Sequence, residues 1–316
     1  MAVTTAIGAM LWSPPAAAQA GGQVSRIVVP FAAGGAREAL ARTFSTELGE
    51  ELGRTFIVES RGGAGGAIGT TAVARAAPDG KTLLMAASSH FVTAALAARP
   101  PYDPVKDFVP VANIGSQSYV LMISAALPAK NVAEFVALAK RKPGEFNYGS
   151  AGVGSSTHLA TAYLLSQAGI DVVHVPFKST QEAANEVAAG RVQAVIVPNA
   201  GLGPYTQDAR LRIIGVTGRK RSALLPAVPT IAESGLTGYV FESWFGLLAP
   251  AGTPAAEVEK INAAVSTVLA TDVVKARLVT QGVVADTMKP AEFNKLFLAD
   301  RELMTRVVKD ANLKAE

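Results

Sequence analysis

"IVVPFAAGGAREALAR", Ile27 to Arg42, is the stretch that decides the fold. A β-rich apolar run ends at Pro30-Phe31, passes through a loop of small residues with Gly34 and Gly35, and enters a segment of helical period. The helix "REALARTFSTELGEELG" sets Leu40, Phe44, Leu48 and Leu52 on one face, with Gly53 as its stop. "TFIVES" then reads as a strand, "AIGTTAVARAA" as a helix and "KTLLMAA" as a strand. This alternation predicts a parallel sheet covered by helices on both faces.

Near "YVLMIS", residues 119–124, the rhythm restarts. "NVAEFVALAKRKP" is a helix, "EFNYGS" runs into the loop "AGVGSSTH", and "LATAYLLSQAG" is the next helix. "DVVHVPF", "VQAVIV" and "LRIIGVT" are strands, and "STQEAANEVAAG" is a helix ending on Gly190. The expected division is one unit over 21–120 plus 244–316 and a second over 121–243. After "WFGLLAPAGTP" come helices without a sheet of their own, expected to pack on the first unit, with Trp244-Phe245-Gly246 serving the hinge. In both units a strand meets a small, Gly-rich loop at a helix start. Such helix N-termini present unpaired N–H groups that favour anions, at the strand ends where open α/β sheets bind ligands.

The 316 residues are 49% hydrophobic and 17% charged, enough apolar material for large cores and too much for disorder. The net charge of +4 comes from scattered cations with few aromatics, which argues against nucleic acid as a partner. No cysteine is present, and His90, His158 and His174 are widely spaced, so neither a metal site nor any other cofactor is implied. "MAVTTAIGAMLWSPPAAAQA" is uncharged and closes on Ala18-Gln19-Ala20, which fits the late part of an export signal cleaved near Ala20. The positively charged start of such a signal is missing, and Pro14-Pro15 argues against a membrane anchor.

The segments "VVPFAAGG", "VESRGGAGGAIGTTAVARAAPDGKTLLM", "PYDPVKDFVPVANIG", "FNYGSAGVGSSTHLA", "VVHVPFKST", "VTGRKRSALLPAVPTIAESG" and "SWFGLLAPAGTP", in this order, resemble the periplasmic solute-binding receptors of tripartite tricarboxylate transporters, also called Bug-type receptors. The resemblance implies a type II periplasmic binding protein fold: two α/β lobes joined by a hinge, closing as a monomer on a small carboxylate and delivering it to a membrane permease. It also implies that the ligand's head carboxylate lies between two loops, held largely by backbone N–H groups and waters. Carried over by position, these are Phe31 to Arg37, including Ala33, Gly34, Gly35 and Ala36, and Gly152 to His158, including Gly154, Ser155, Ser156 and Thr157.

Physical reading of the same residues leaves several roles open. Gly34 and Gly35 permit close approach of a backbone to an anion. The hydroxyls of Ser155, Ser156 and Thr157 suit capping, anion donation or both. Phe31 either lines the pocket or plugs the sheet edge, and His158 is either a ligand contact or a satisfied structural histidine. Ser88-Ser89-His90 is expected to end the third strand and face the cleft. Arg37 departs from the family, which usually has a small or hydroxyl residue there. It either offers a fork to a second carboxylate or lies on the surface paired with Glu38 or Glu47. Where many members have an acidic residue able to receive an amino group, this chain has Val197, followed by Pro198 and Asn199 in the expected cleft. That shifts the expected ligand from an amino acid to a plain mono- or dicarboxylate, aromatic ones included, and the function expected overall is capture of a di- or tricarboxylate or an aromatic carboxylate.

"RGGAGGAIG" lacks G-x-G-x-x-G spacing and reads as a helix-start loop near the cleft, not as a nucleotide site. Ser155 or Ser156 with His158 suggests a hydrolase on paper, but no G-x-S-x-G elbow accompanies them and no catalytic residue is expected. A sensory role, with the closed receptor touching a membrane kinase, would use the same surface as transport.

Overall fold

Ile27, Val28 and Val29 are all buried, as in a strand covered on both faces. They belong to β1 (Val24–Val29), paired in parallel with β2 (Thr55–Ser60) and β3 (Thr82–Ala87). Helix α1 (Ala36–Leu52) lays Leu40, Phe44 and Leu48 on this sheet and ends at Gly53 in the left-handed region. The computed structural model describes residues 24–31, 33–96, 99–222 and 224–310. The expected export signal over 1–20 lies outside them. Among the described residues, no helix is long and apolar enough to cross a membrane.

The sheet is mixed, which corrects the parallel expectation. β3 pairs antiparallel with β9 (Glu242–Pro250), and β9 pairs antiparallel with β4 (Phe108–Ser124). The reason is the return of the chain: the segment read as a hinge, "ESWFGLLAP", is itself a strand inserted between β3 and β4. Before β4, "PYDPVKDF" is a turn in which Asp103 accepts from the amides of Val105 and Lys106, each at 2.9 Å. The third strand also stops earlier than expected. It ends at Ala87, and Ser89 and His90 open α3 (Ser89–Leu96), which buries His90, Phe91 and Val92.

β4 is the element shared by both lobes. Through Ser118 it pairs with β9; from Tyr119 onward it pairs with β7 (Ala194–Pro198) on one side and β8 (Leu211–Val216) on the other, both antiparallel. β7 continues in parallel to β5 (Asn147–Ser150) and β6 (Val173–Pro176). Helices α2 (Ala67–Ala74), α4 (Val132–Arg141), α5 (Ser156–Ala168) and α6 (Thr180–Ala188) fill the expected places. The protein therefore has a type II periplasmic binding fold, two α/β lobes flanking a hinge made by β4 and β9.

The C-terminal region is α7 (Ala255–Ala270), α8 (Asp272–Thr280), a short β10 (Val284–Ala285) paired with β4, and α9 (Pro290–Asp310). α7 and α8 pack on α1, as expected of the first unit, but α9 reaches both α3 and α5 and so touches both lobes. One apolar core is continuous from Phe91, Phe293 and Phe297 to Phe135, Leu159 and Tyr163. Within it, the indole Nε1–H of Trp244 donates to Asp300 Oδ2 at 2.7 Å. Burial pushes the Asp300 carboxyl up to about 7.

Candidate functional site

A cleft at the hinge holds about 480 Å³. Its floor is the pair of crossing strands, through Gln117 and Tyr119 on β4 and Ser243 and Phe245 on β9. Ala36, Arg37 and Leu40 of α1 line one side; Ser155, Ser156 and Thr157 at the start of α5, Thr180 of α6 and Pro198 of β7 line the other. Gln281 and Val283, between α8 and β10, close a rim. The two loops named from the sequence thus face one cavity, across which two helix N-termini meet.

Each loop is shaped by its own side chains. Ser155 is the N-cap of α5 and accepts from the backbone N–H of His158 at 3.2 Å. Thr157 Oγ1 accepts from the amide of Ala151 at 3.0 Å, which pins the strand end to the helix start. Gly154 donates its N–H to His158 Nδ1 at 3.1 Å, so His158 carries its proton on Nε2 and is neutral. Its ring lies 3.9 Å from that of His174, nearly parallel, and Tyr148 lies against both, 4.9 Å from His174 and 6.1 Å from His158. Burial first, then the neighbouring His174, hold His158 down at about 4. The histidine therefore supports the loop from behind. With Nδ1 taken by a backbone amide and Ser155 Oγ accepting from the helix, a serine–histidine relay has no geometry here.

On the first lobe, α1 starts at Gly35 without a side-chain cap, so first-turn amides lack an intrahelical acceptor. Glu38 reaches back to accept from the Gly34 N–H at 2.7 Å, and it also takes Ser60 Oγ at 3.0 Å and Arg42 at 2.6 Å. The amide of Gly34 is thereby spent on the loop. Ala33, Gly34 and Gly35 are exposed on this loop outside the cleft lining, and Gly154 is also outside it.

Arg37 is half-buried and is the one charged side chain among the described residues lining the cleft. Its guanidinium lies 4.0 Å over the ring of Phe31. The surface pairing weighed from the sequence does not form: Glu38 is engaged with Arg42, and Glu47 with Arg277 at 2.7 Å. Among the described residues no carboxylate comes within ion-pair distance of Arg37 (compare the pairs Arg26–Glu59 and Arg61–Glu59 on the neighbouring strand). Desolvation lowers Arg37 from 12.5 to about 10, still fully protonated at neutral pH, with Tyr119 opposing that shift. Tyr119 donates or accepts across 2.8 Å with Ser243 Oγ and also meets the Ser156 hydroxyl. Burial raises its phenol above the ordinary range, so it remains a neutral hydroxyl.

Several expected contacts lie elsewhere. Phe31 lines a small recess together with Arg37 itself, Ser89, His90, Thr93 and Tyr102. That recess is also where "RGGAGGAIG" arrives. Gly66 has φ 100°, and a Cβ there would sit 3.0 Å from the Pro30 carbonyl oxygen, so only glycine lets this loop back the site. His90 is locked in an aromatic box and donates from Nε2 to the Pro104 carbonyl at 2.9 Å. Ser88 is buried and accepts from the Trp244 amide at 3.4 Å. Asn199, next to the lining residue Pro198, donates to Ser222 Oγ at 2.7 Å. Among the described residues no group of three or more His, Cys, Asp or Glu is placed to hold a metal ion.

The profile of the family described as "Tripartite tricarboxylate transporter family receptor" matches residues 40–313. The chain belongs to this family of periplasmic solute-binding receptors, which are not enzymes. A UPF0065 protein from the tcbD-tcbE intergenic region of Pseudomonas sp. (strain P51) is 35% identical over 289 residues, covering 91% of this chain and 86% of the relative. Among solved structures, R. palustris Rpa4515 with adipate is 31% identical, with a TM-score of 0.74 and coverage of 92% and 98%. MatC (Rpa3494) from Rhodopseudomonas palustris with bound malate is 31% identical, with a TM-score of 0.72 and coverage of 90% and 99%.

Proposed function

We propose that this receptor captures a small carboxylate in the periplasm and delivers it to the membrane permease of a tripartite tricarboxylate transporter. The lobes at 21–120 plus 244–316 and at 121–243 would close over the ligand. The observation that carries the reading is the cleft lining: two helix N-termini, hydroxyls of Tyr119, Ser156, Thr180 and Ser243 and, among the described residues, one cation and no acidic side chain. Such a surface stabilises a carboxylate and offers an ammonium group no anionic partner. Leu40, Phe245 and Val283 supply an apolar wall for the ligand's body. That relatives were solved with adipate and with malate supports a dicarboxylate as the ligand.

The test is a thermal-shift screen of mono-, di- and tricarboxylates with aromatic members, since a ligand that binds only the folded state raises its stability. At least one member is expected to raise the melting temperature. A screen flat for every carboxylate would overturn the reading.

A further inference from the structure

We propose that Arg37, held over the ring of Phe31, is the residue by which this cleft selects ligands carrying a second anionic group. The inference rests on the carboxylate reading above and deepens it.

Arg37 carries a charge that no carboxylate among the described residues compensates. Arg37 sits in the first turn of α1, where the helix dipole disfavours a cation, and it has been drawn partly out of water. Neighbouring carboxylates could neutralise it, yet Glu38 is committed to Gly34, Ser60 and Arg42, and Glu47 to Arg277. A lining cation with these costs and no anion among the described residues is matched by an anion that arrives with the ligand.

Geometry supplies the second part. Phe31 covers one face of the guanidinium at 4.0 Å. A stacked guanidinium keeps its N–H edge free, and the ring restricts its rotation, so a carboxylate meets a fork already oriented. The helix starts of α1 and α5 then hold one end of the ligand and Arg37 the other. Phe31 is a positioning residue: it touches Arg37 from the recess and lies outside the lining of the cleft.

The experiment is titration calorimetry with succinate, glutarate, adipate and phthalate, each beside its monoamide, on the wild type, Arg37→Ala, Arg37→Lys and Phe31→Leu. In the wild type the dicarboxylate should bind at least about tenfold more tightly than its monoamide, as expected for a charge-assisted bidentate contact. Arg37→Ala should erase that preference and leave monoamide affinity within about threefold, and Arg37→Lys should restore only part of it. Phe31→Leu should weaken the dicarboxylate when Arg37 is present and have no effect in the Arg37→Ala background. Equal losses for dicarboxylate and monoamide in Arg37→Ala overturn the proposal. So does a wild type that binds only monocarboxylates or monoamides, an outcome that leaves the receptor reading intact. If no carboxylate binds the wild type at all, the receptor reading fails as well.

Discussion

Arg37 and Glu38 are adjacent and do opposite work: one stays available to the cleft, and the other is consumed in building the loop beside it. Glu38 accepts from a backbone amide and two side chains, first among them Gly34, and these bonds hold its carboxyl below the usual range. Glu38→Ala should destabilise the fold, as loss of a helix cap does, and should loosen Phe31 to Arg37. Urea denaturation and ligand titration would measure both effects; an unchanged midpoint would show that the loop holds itself. Arg37 was legible in the sequence because it broke a pattern. Tyr119 and Ser243 were not, since their meeting depends on β4 and β9 crossing at the hinge, which no local period encodes. Ser88 and His90 misled for a related reason: the strand ended before them, leaving Ser88 buried in a turn and His90 buried in α3.

At the scale of elements, the loop between β5 and α5 depends on a neutral imidazole. Burial holds His158 and His90 at about 4, against an ordinary value of 6.5. The unfolded chain therefore binds more protons than the native state between these values. Their stabilising contribution is complete above about pH 6.5 and is lost as pH falls toward 4. Asp300, raised from 3.8 to about 7, acts in the opposite sense, contributing fully below about pH 4 and losing that contribution as pH rises toward 7. Asp300→Asn keeps an acceptor for the Trp244 indole but cannot ionise, so it should stabilise the protein at pH 8 relative to pH 5. Melting temperatures at the two pH values check this; an equal change at both would contradict the raised carboxyl. His158→Asn should flatten the acid side of the wild-type profile, measured the same way. The strand–loop–helix order of this element was evident from the sequence, whereas the stacking of His158 on His174 required the register of β5 beside β6.

For the whole molecule, the alternating strands and helices were enough to anticipate two α/β lobes, and the Gly-rich loops were enough to anticipate where they face each other. The mixed sheet and the span of α9 were hidden, because both arise from the chain returning to the first lobe after the second is built. That return also brings Gly282 against Ala200, from the segments adjoining Gln281 and Pro198 on opposite walls of the cleft. A Cβ at Gly282 would collide with the Ala200 backbone, and φ there is +70°. Gly282→Val should therefore obstruct closure, weakening ligand by about tenfold for a modest stability cost of ~1 kcal/mol. Small-angle scattering would show whether the variant fails to contract with ligand; normal contraction would rule this contact out as a constraint.

The central claim is that one carboxylate binds in the cleft between the lobes. Calorimetric titration of the wild-type protein with the dicarboxylates named above tests it most directly. The account predicts saturable 1:1 binding of at least one of them at micromolar affinity or better, about −8 kcal/mol. Heats no larger than dilution for every dicarboxylate and monoamide would contradict it.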